Sequence, residues 1–299
     1  MKILYVSAGA APDYQCDMLF HGLRQRFGDQ VVDAHRLAYM YKSFAKDDPN
    51  RLAGIYGKGF SVYALLDDIA IDRDDLEQKI KSRYFDVVIY GSIHRSQYLL
   101  FEVLAAYDGR NVIFIDGEDE SDIIFWSLVG RGLYFKREIR ENIANILPIQ
   151  FAIPGEKINQ APTEKSRIYA HIDPRDRSTY IYASEADYYQ DYKNSLFAIT
   201  TKKAGWDCLR HYEIMANDCI PIFPDLEKCP HTTLARFPRF EIFSTQSLIV
   251  QHDADYFQRG EGFAIWHSIQ SSIKQYLLRH LTTVALADYV IDRWRNCQK

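Results

Sequence analysis

Long apolar runs are missing from this chain of 299 residues. The apolar N-terminal stretch breaks off at Ser7, too short for a signal peptide or a membrane span, and no later segment reaches spanning length. Paired cysteines are missing as well. Cys16, Cys208, Cys219, Cys229 and Cys297 are odd in number and never at CxxC spacing, which speaks against a zinc site or a disulfide framework and for reduced thiols. Basic charge is not in excess. With 36 Lys and Arg against 40 Asp and Glu, the net charge of −4 gives no reason to expect a nucleic acid partner. The loop after the first expected strand lacks GxGxxG, the usual signature of a nicotinamide or flavin cofactor. Internal repeats and low-complexity tracts are absent too. The expectation is a soluble, cytoplasmic protein without a cofactor, a position at the periphery of a membrane being left open.

What the chain has in quantity is aromatic: 21 Tyr and 17 Phe, most of them expected in the core. Hydrophobic content of 47% and charged content of 25% are ordinary for a globular protein. The length suits two domains of about 150 residues each.

Taken in order, residues 2–6 are a strand candidate, followed by the small-residue loop Ser7, Ala8, Gly9, Ala10, Ala11, Pro12. A helix is expected over 14–27, with Met18, Leu19, Leu23 and Phe27 on its apolar side and Gly28 closing it, and a short strand from 31. Residues 39–75 form a long excursion with one helix near 62–69. Helices over 76–83 and 98–107 then alternate with strands over 86–90, 111–115 and 133–136. Polar residues collect just after the strands: Asp13, then His94 and Arg95, then Asp116, Glu118, Asp119 and Glu120. That alternation predicts a doubly wound parallel sheet working at the C-terminal ends of its strands. Three prolines between 148 and 162, without helical periodicity, mark a boundary between domains 1–153 and 154–299. The second series reads as strands over 167–171 and 179–182, a helix capped by Ser184 and running through 193, and a strand over 196–199. A helix over 208–216, strands over 220–223 and 248–251, and helices over 263–281 and 284–294 complete it.

The stretch 196–224 is the most informative. A short strand leads into a polar loop with Lys202 and Lys203. Asp207 is expected to cap the helix after it, and Arg210, Glu213 and Asn217 share a polar stripe. A helix start carries unpaired N–H groups and partial positive charge; Lys203 and Arg210 add full charges, which suits a diphosphate. Glu213, one turn on, can accept sugar hydroxyls. The plain alternative is a surface helix with an Arg–Glu pair and solvated lysines.

Arg210-x-x-Glu213 running into Ile214-Met215-Ala216-Asn217-Asp218-Cys219-Ile220-Pro221-Ile222 resembles the donor-binding segment of GT-B glycosyltransferases, above all exostosin-type enzymes. The layout of the whole chain is similar as well. The resemblance implies an α/β fold of two Rossmann-like domains facing a cleft, with the C-terminal helices packing back. It implies an acceptor side in 1–153 and a nucleotide-sugar side in 154–299. The implied activity is transfer of a sugar from a nucleotide-sugar donor to a hydroxyl of a glycan, lipid-linked or small-molecule acceptor, without a metal. Asp218 stands where such segments have glycine, and aspartate tolerates the left-handed backbone needed there. Eight residues before Glu213 stands Gly205, so the first glutamate of the Glu-x7-Glu helix of retaining relatives is missing. That favours inversion.

Inverting transfer needs a general base from the first domain. Asp13, His94 and Glu118 are the candidates, with Asp116, Asp119 and Glu120 beside the last. Each has a plain alternative as a helix cap, a bonded loop residue or a solvated loop. On the donor side stand Lys203, Arg210 and Glu213, with Lys202 adjacent. His211 faces away from Arg210 and is read as structural. Two rival readings use the same fold: a non-catalytic sugar-nucleotide or glycan-binding module, and a nucleotide-sugar epimerase. From sequence, Arg210→Ala and Glu213→Ala are both expected to abolish transfer and to leave the thermal midpoint nearly unchanged.

Overall fold

The computed structural model describes the whole chain except Ala8, Ala10, Pro49, Thr163 and Lys299. Two members of the expected small-residue loop, Ala8 and Ala10, therefore lie outside the described residues. Strands β1 (Ile3–Val6), β2 (Val31–Asp33), β3 (Val87–Tyr90), β4 (Val112–Asp116), β5 (Leu133–Lys136) and β6 (Ile146–Pro148) make one sheet in the order β2-β1-β3-β4-β5-β6. Strands β7 (Arg167–Tyr169), β8 (Ser195–Ile199) and β9 (Ile220–Ile222) make a second sheet in sequence order. Every pairing in both sheets is parallel.

Parallel strands need crossovers, and helices supply most of them. Those of the first half are α1 (Tyr14–Phe27), α2 (Asn50–Ala53), α3 (Leu76–Lys81) and α4 (Leu100–Ala106). The second half has α5 (Glu185–Lys193), α6 (Leu209–Ala216), α7 (Arg239–His252), α8 (Gly260–His280) and α9 (Thr283–Cys297). No helix among the described residues is long and apolar enough to cross a membrane. The central strands are buried on both faces, and alternate residues serve different cores. Ile3 and Tyr5 of β1 join a cluster that continues through Phe151 and Ile153 to Phe197, Met215 and Trp294. Leu4 and Val6 face a second cluster with Val88 and Phe114.

The chain ends by returning to its beginning. α9, capped by the Thr282 hydroxyl, packs along α1. A Cβ on Gly22 would lie 1.8 Å from the Thr283 carbonyl oxygen, so glycine is what allows the two helices this approach. Next to it His21 Nδ1 meets Thr283 Oγ1 at 2.9 Å.

Four local expectations fail, each for a visible reason. The helix near 62–69 does not form: Ser61 and Ala64 have left-handed φ of 72° and 55°, and Leu66 bridges Tyr41 instead. The strand over 179–182 is a single 3-10 turn, Arg177–Thr179, capped by Asp176, and an irregular run into the cleft. The β-branched run over 248–251 is the last turn of α7, where tertiary packing overrides strand propensity. Asp207 does not cap α6. Cys208 holds that position without a side-chain bond, while the Asp207 carboxylate accepts from Phe151 N at 2.6 Å and from the Tyr212 hydroxyl at 2.9 Å. Strand β6 was hidden in the proline-rich boundary. Asp218, by contrast, has the left-handed φ of 56° that its place after the helix requires.

Candidate functional site: a cleft between the two sheets

Loops at the C-terminal ends of the strands of both sheets enclose a cleft of about 720 Å³. From the first half come Asp13 after β1, Arg95 after β3, Glu118 and Asp119 after β4, Arg137 after β5 and Phe151 after β6. From the second come Tyr180, Lys203, Arg210 and Glu213. Ligands bind at this edge of an open parallel sheet.

On the second-half wall, α6 turns Arg210 and Glu213 into the cleft. Arg210 gives one hydrogen bond, from Nη2 to the Tyr180 hydroxyl at 2.7 Å. Its Nε and Nη1 are buried and unpartnered. Two of the nitrogens of a cation are thus shaped to a site and left unused there, as an anion-binding guanidinium would be. Lys203 lies with Nζ 4.8 Å from the centre of the Tyr180 ring, on the same side. Lys202 is exposed, sits 5.2 Å over the Trp206 ring and does not line the cleft.

Glu213 does not pair with Arg210 in the manner of a surface ion pair. Its carboxylate is buried and accepts from the hydroxyls of Ser61 and, at 2.7 Å, Tyr188. Burial raises its pKa, while those hydroxyls and Arg210 pull the other way. Ser61 belongs to the excursion of the first half. The same segment sends Lys58 Nζ to the Tyr182 carbonyl at 2.6 Å. An added Cβ on Gly205 would lie 2.5 Å from Glu138 Oε1 and 2.9 Å from Asp119 Oδ1. A side chain there requires both carboxylates to move, so glycine is what their present placing accommodates.

On the first-half wall, Asp13 is buried at the start of α1, where Oδ1 caps the helix by accepting from Cys16 N at 3.1 Å. Arg95 Nε lies 3.2 Å from Asp13 Oδ2 and 3.3 Å from Glu118 Oε1, so one guanidinium faces both carboxylates. His94 is elsewhere. Its Nε2 is 3.1 Å from the buried Asp116, its ring packs edge-on against Phe125, and it does not line the cleft. Asp116 itself is taken up by Lys136 and the Tyr134 hydroxyl, both at 2.9 Å. The cleft thus brings together Asp13, Glu118, Lys203, Arg210 and Glu213, and leaves out His94 and Lys202.

Ser61, Tyr180, Tyr188 and Arg137 also line or support the cleft and had no signal in the sequence beyond their residue types, while Arg95 does so from its place after a strand. Ser61 and Arg137 meet their partners across 152 and 70 residues, which no local spacing reveals.

Behind α6, His211 is a fixed neutral imidazole. It is fully buried, with Nδ1 2.8 Å from the Thr200 hydroxyl and Nε2 2.9 Å from the Trp206 carbonyl, and desolvation lowers its pKa to about 3. Near it, burial raises Asp207 to about 7 against the pull of Arg137. The unfolded chain takes up a proton at His211 below pH ~6.5 that the folded chain refuses, so this contribution is whole above 6.5 and shrinks as pH falls. Asp207 has the opposite sign: its contribution is present below pH ~4 and is lost as pH rises through 7. The two oppose each other in mildly acidic solution, so only a difference isolates either. The stability advantage of wild type over His211→Gln is expected to be about 2 kcal/mol smaller at pH 5 than at pH 7. Denaturant melts of both proteins at the two pH values measure it.

No protein-family model matches the chain, and no curated protein matches it in sequence. Solved structures do resemble it. A glycosyltransferase from Rickettsia africae is 9% identical, with 100% of this chain and 98% of that one covered and a TM-score of 0.54. An alpha-glucosyltransferase solved in complex with UDP is 11% identical over 98% of this chain and 99% of its own, with a TM-score of 0.47. HepE of Anabaena, solved in complex with UDP-glucose, is 8% identical over 99% and 100%, with a TM-score of 0.46. At such identities the likeness is one of fold. The fold is the expected one: α/β, with two Rossmann-like parallel sheets facing a cleft and the last helix, α9, packed back on the first half.

Proposed function

We propose that this chain is a glycosyltransferase that moves a sugar from a nucleoside diphosphate donor to a hydroxyl acceptor. The observation that carries the reading is Arg210: two unpartnered guanidinium nitrogens, with Lys203 and Glu213, facing Asp13 across one cleft. The donor diphosphate lies against Arg210, Lys203 and the start of α6, where charge grows as the glycosidic bond to it breaks. Glu213 accepts from a hydroxyl of the donor. The acceptor oxygen bonds to the anomeric carbon, its proton passes to Asp13, and the nucleoside diphosphate leaves as the anion. Asp13 is preferred to Glu118 because it stands on the rigid start of a helix. Its carboxylate lines the cleft, where a bound acceptor hydroxyl can reach it.

Direct displacement inverts the anomeric centre, in keeping with the absence of a second glutamate at Gly205. We assign the donor side to 154–299, the acceptor side to 1–153, and no metal to the reaction. The finer likeness to exostosin-type enzymes rests on the Arg210 to Ile222 motif.

Melting curves recorded with UDP-, GDP- and ADP-sugars test the donor half, since a ligand of the native state raises the midpoint. One of the three is expected to do so, and nucleotide release is expected to depend on added acceptor. Binding without release would favour a non-catalytic module, and release of isomerised donor without acceptor an epimerase. No shift with any of them removes the donor assignment.

A further inference from the structure

Gln15 is the second residue of α1, and it lines the cleft two positions after Asp13. It is 1% exposed, and neither its Oε1 nor its Nε2 has a hydrogen-bond partner. Its neighbours are in a different condition. Asp13 is held by Cys16 N and Arg95, and Asp17 by Asp13 N and the Tyr39 hydroxyl. A buried primary amide with both ends unpaired is destabilising, and an apolar side chain of the same length would avoid that.

The backbone opposite makes room for it. A Cβ on Gly117 would fall 2.7 Å from Gln15 Cβ and 3.9 Å from Asp13 Oδ1. The glutamine therefore lies beside the carboxylate, both against one glycine, on the acceptor wall.

We propose that Gln15 is an acceptor-positioning residue, and that the acceptor is a sugar ring carrying a hydroxyl or acetamido group next to the hydroxyl that attacks. This rests on the glycosyltransferase reading. An amide offers one donor and one acceptor side by side, and a hydroxyl or acetamido group answers with both. When the attacking hydroxyl sits on Asp13, its ring neighbour falls to Gln15. A lone alcohol, such as a serine side chain or a polyprenol, has nothing to place there and leaves the amide unpaired.

The test uses methyl and octyl glycosides of the common hexoses and N-acetylhexosamines, their monodeoxy analogues, and n-octanol and N-acetylserine amide as lone alcohols. In Gln15→Leu the thermal midpoint is expected to rise, because the unpaired amide is gone. The KM for the glycoside is expected to rise about tenfold, with the donor KM within twofold, as for one lost hydrogen bond. Wild type should prefer a glycoside to the analogue deoxygenated beside the reacting hydroxyl, and the variant should lose that preference. Service by methyl glycosides points to a soluble glycan, and by octyl glycosides alone to a lipid-anchored one; both support the proposal. A fall in the midpoint, an unchanged deoxy preference, or equal use of the lone alcohols overturns it. Nucleotide titration without acceptor stands apart: failure there removes the donor reading and not the role of Gln15 alone.

Discussion

Arg210→Ala loses sugar transfer by a factor of about 10²–10³ while its thermal midpoint falls only slightly. The loss follows from position. Arg210 lines the cleft and its buried Nε and Nη1 have no protein partner, so in the proposed reading the guanidinium serves the leaving diphosphate, whose charge peaks in the transition state. The stability result is small because Arg210 gives a single hydrogen bond, to the Tyr180 hydroxyl, and it is a fall because the substitution takes a cation from beside the buried Glu213 carboxylate. Arg210→Lys keeps the charge but loses the planar fork, and should recover only part of the rate. Initial rates with a saturating donor, beside a melting curve, decide the matter; a variant with full activity ends the donor assignment. Glu213→Ala no longer belongs with this pair. Its carboxylate accepts from the hydroxyls of Ser61 and Tyr188 in a buried place, so truncation takes an acceptor from each and lowers stability as well, although Ser61 keeps Tyr189 and Tyr188 keeps Tyr192 as partners. Glu213→Gln is the cleaner substitution.

Arg137→Met is expected to destabilise the fold by on the order of 3–5 kcal/mol, the usual cost of removing one partner from a buried ionic network. Arg137 is 2% exposed and uses its whole guanidinium. Nε donates to the Gly117 carbonyl at 2.9 Å, Nη1 to Glu138 at 3.1 Å and to the Asp207 carbonyl at 2.8 Å, and Nη2 to Asp119. Its face rests on the Phe151 ring at 4.4 Å. Gly117, Glu138 and Asp119 belong to the first half, and Asp207 opens α6 of the second. Without the cation, Glu138 and Asp207 are two carboxylates in a dry place, joined through the Asp207 N–H. Lysine cannot make four bonds in that geometry, so Arg137→Lys should recover less than half of the loss. Urea unfolding of the three proteins measures this, and an unchanged midpoint in Arg137→Met would show the network to be dispensable.

Much of the fold was legible because strong local signals agreed. Helix α1 over residues 14–27, strand β5 over 133–136 and helix α5 with its Ser184 cap lie where periodicity and capping put them. The excursion over 39–75 was not legible. Its apolar residues are buried in an irregular path held by left-handed turns, and nothing in their spacing encodes that. In the cleft, Arg210 and Glu213 share one helix and could be read from a stripe. The residues that hold the two halves together could not, since Arg137 and Ser61 are specified by partners far along the chain.

The contact of Ser61 with Glu213 bears on what the donor gains by binding. In the proposed reading, a sugar hydroxyl that takes the place of Ser61 on Glu213 exchanges one hydroxyl bond for another, and the net gain at that point is close to zero. Affinity is then left to the diphosphate and its cations, which makes it sensitive to ionic strength. In that reading Glu213 sets the pose of the donor sugar and contributes little to how tightly the donor is held. Because Ser61 belongs to the first half, each donor that enters also loosens one of the ties between the two sides of the cleft.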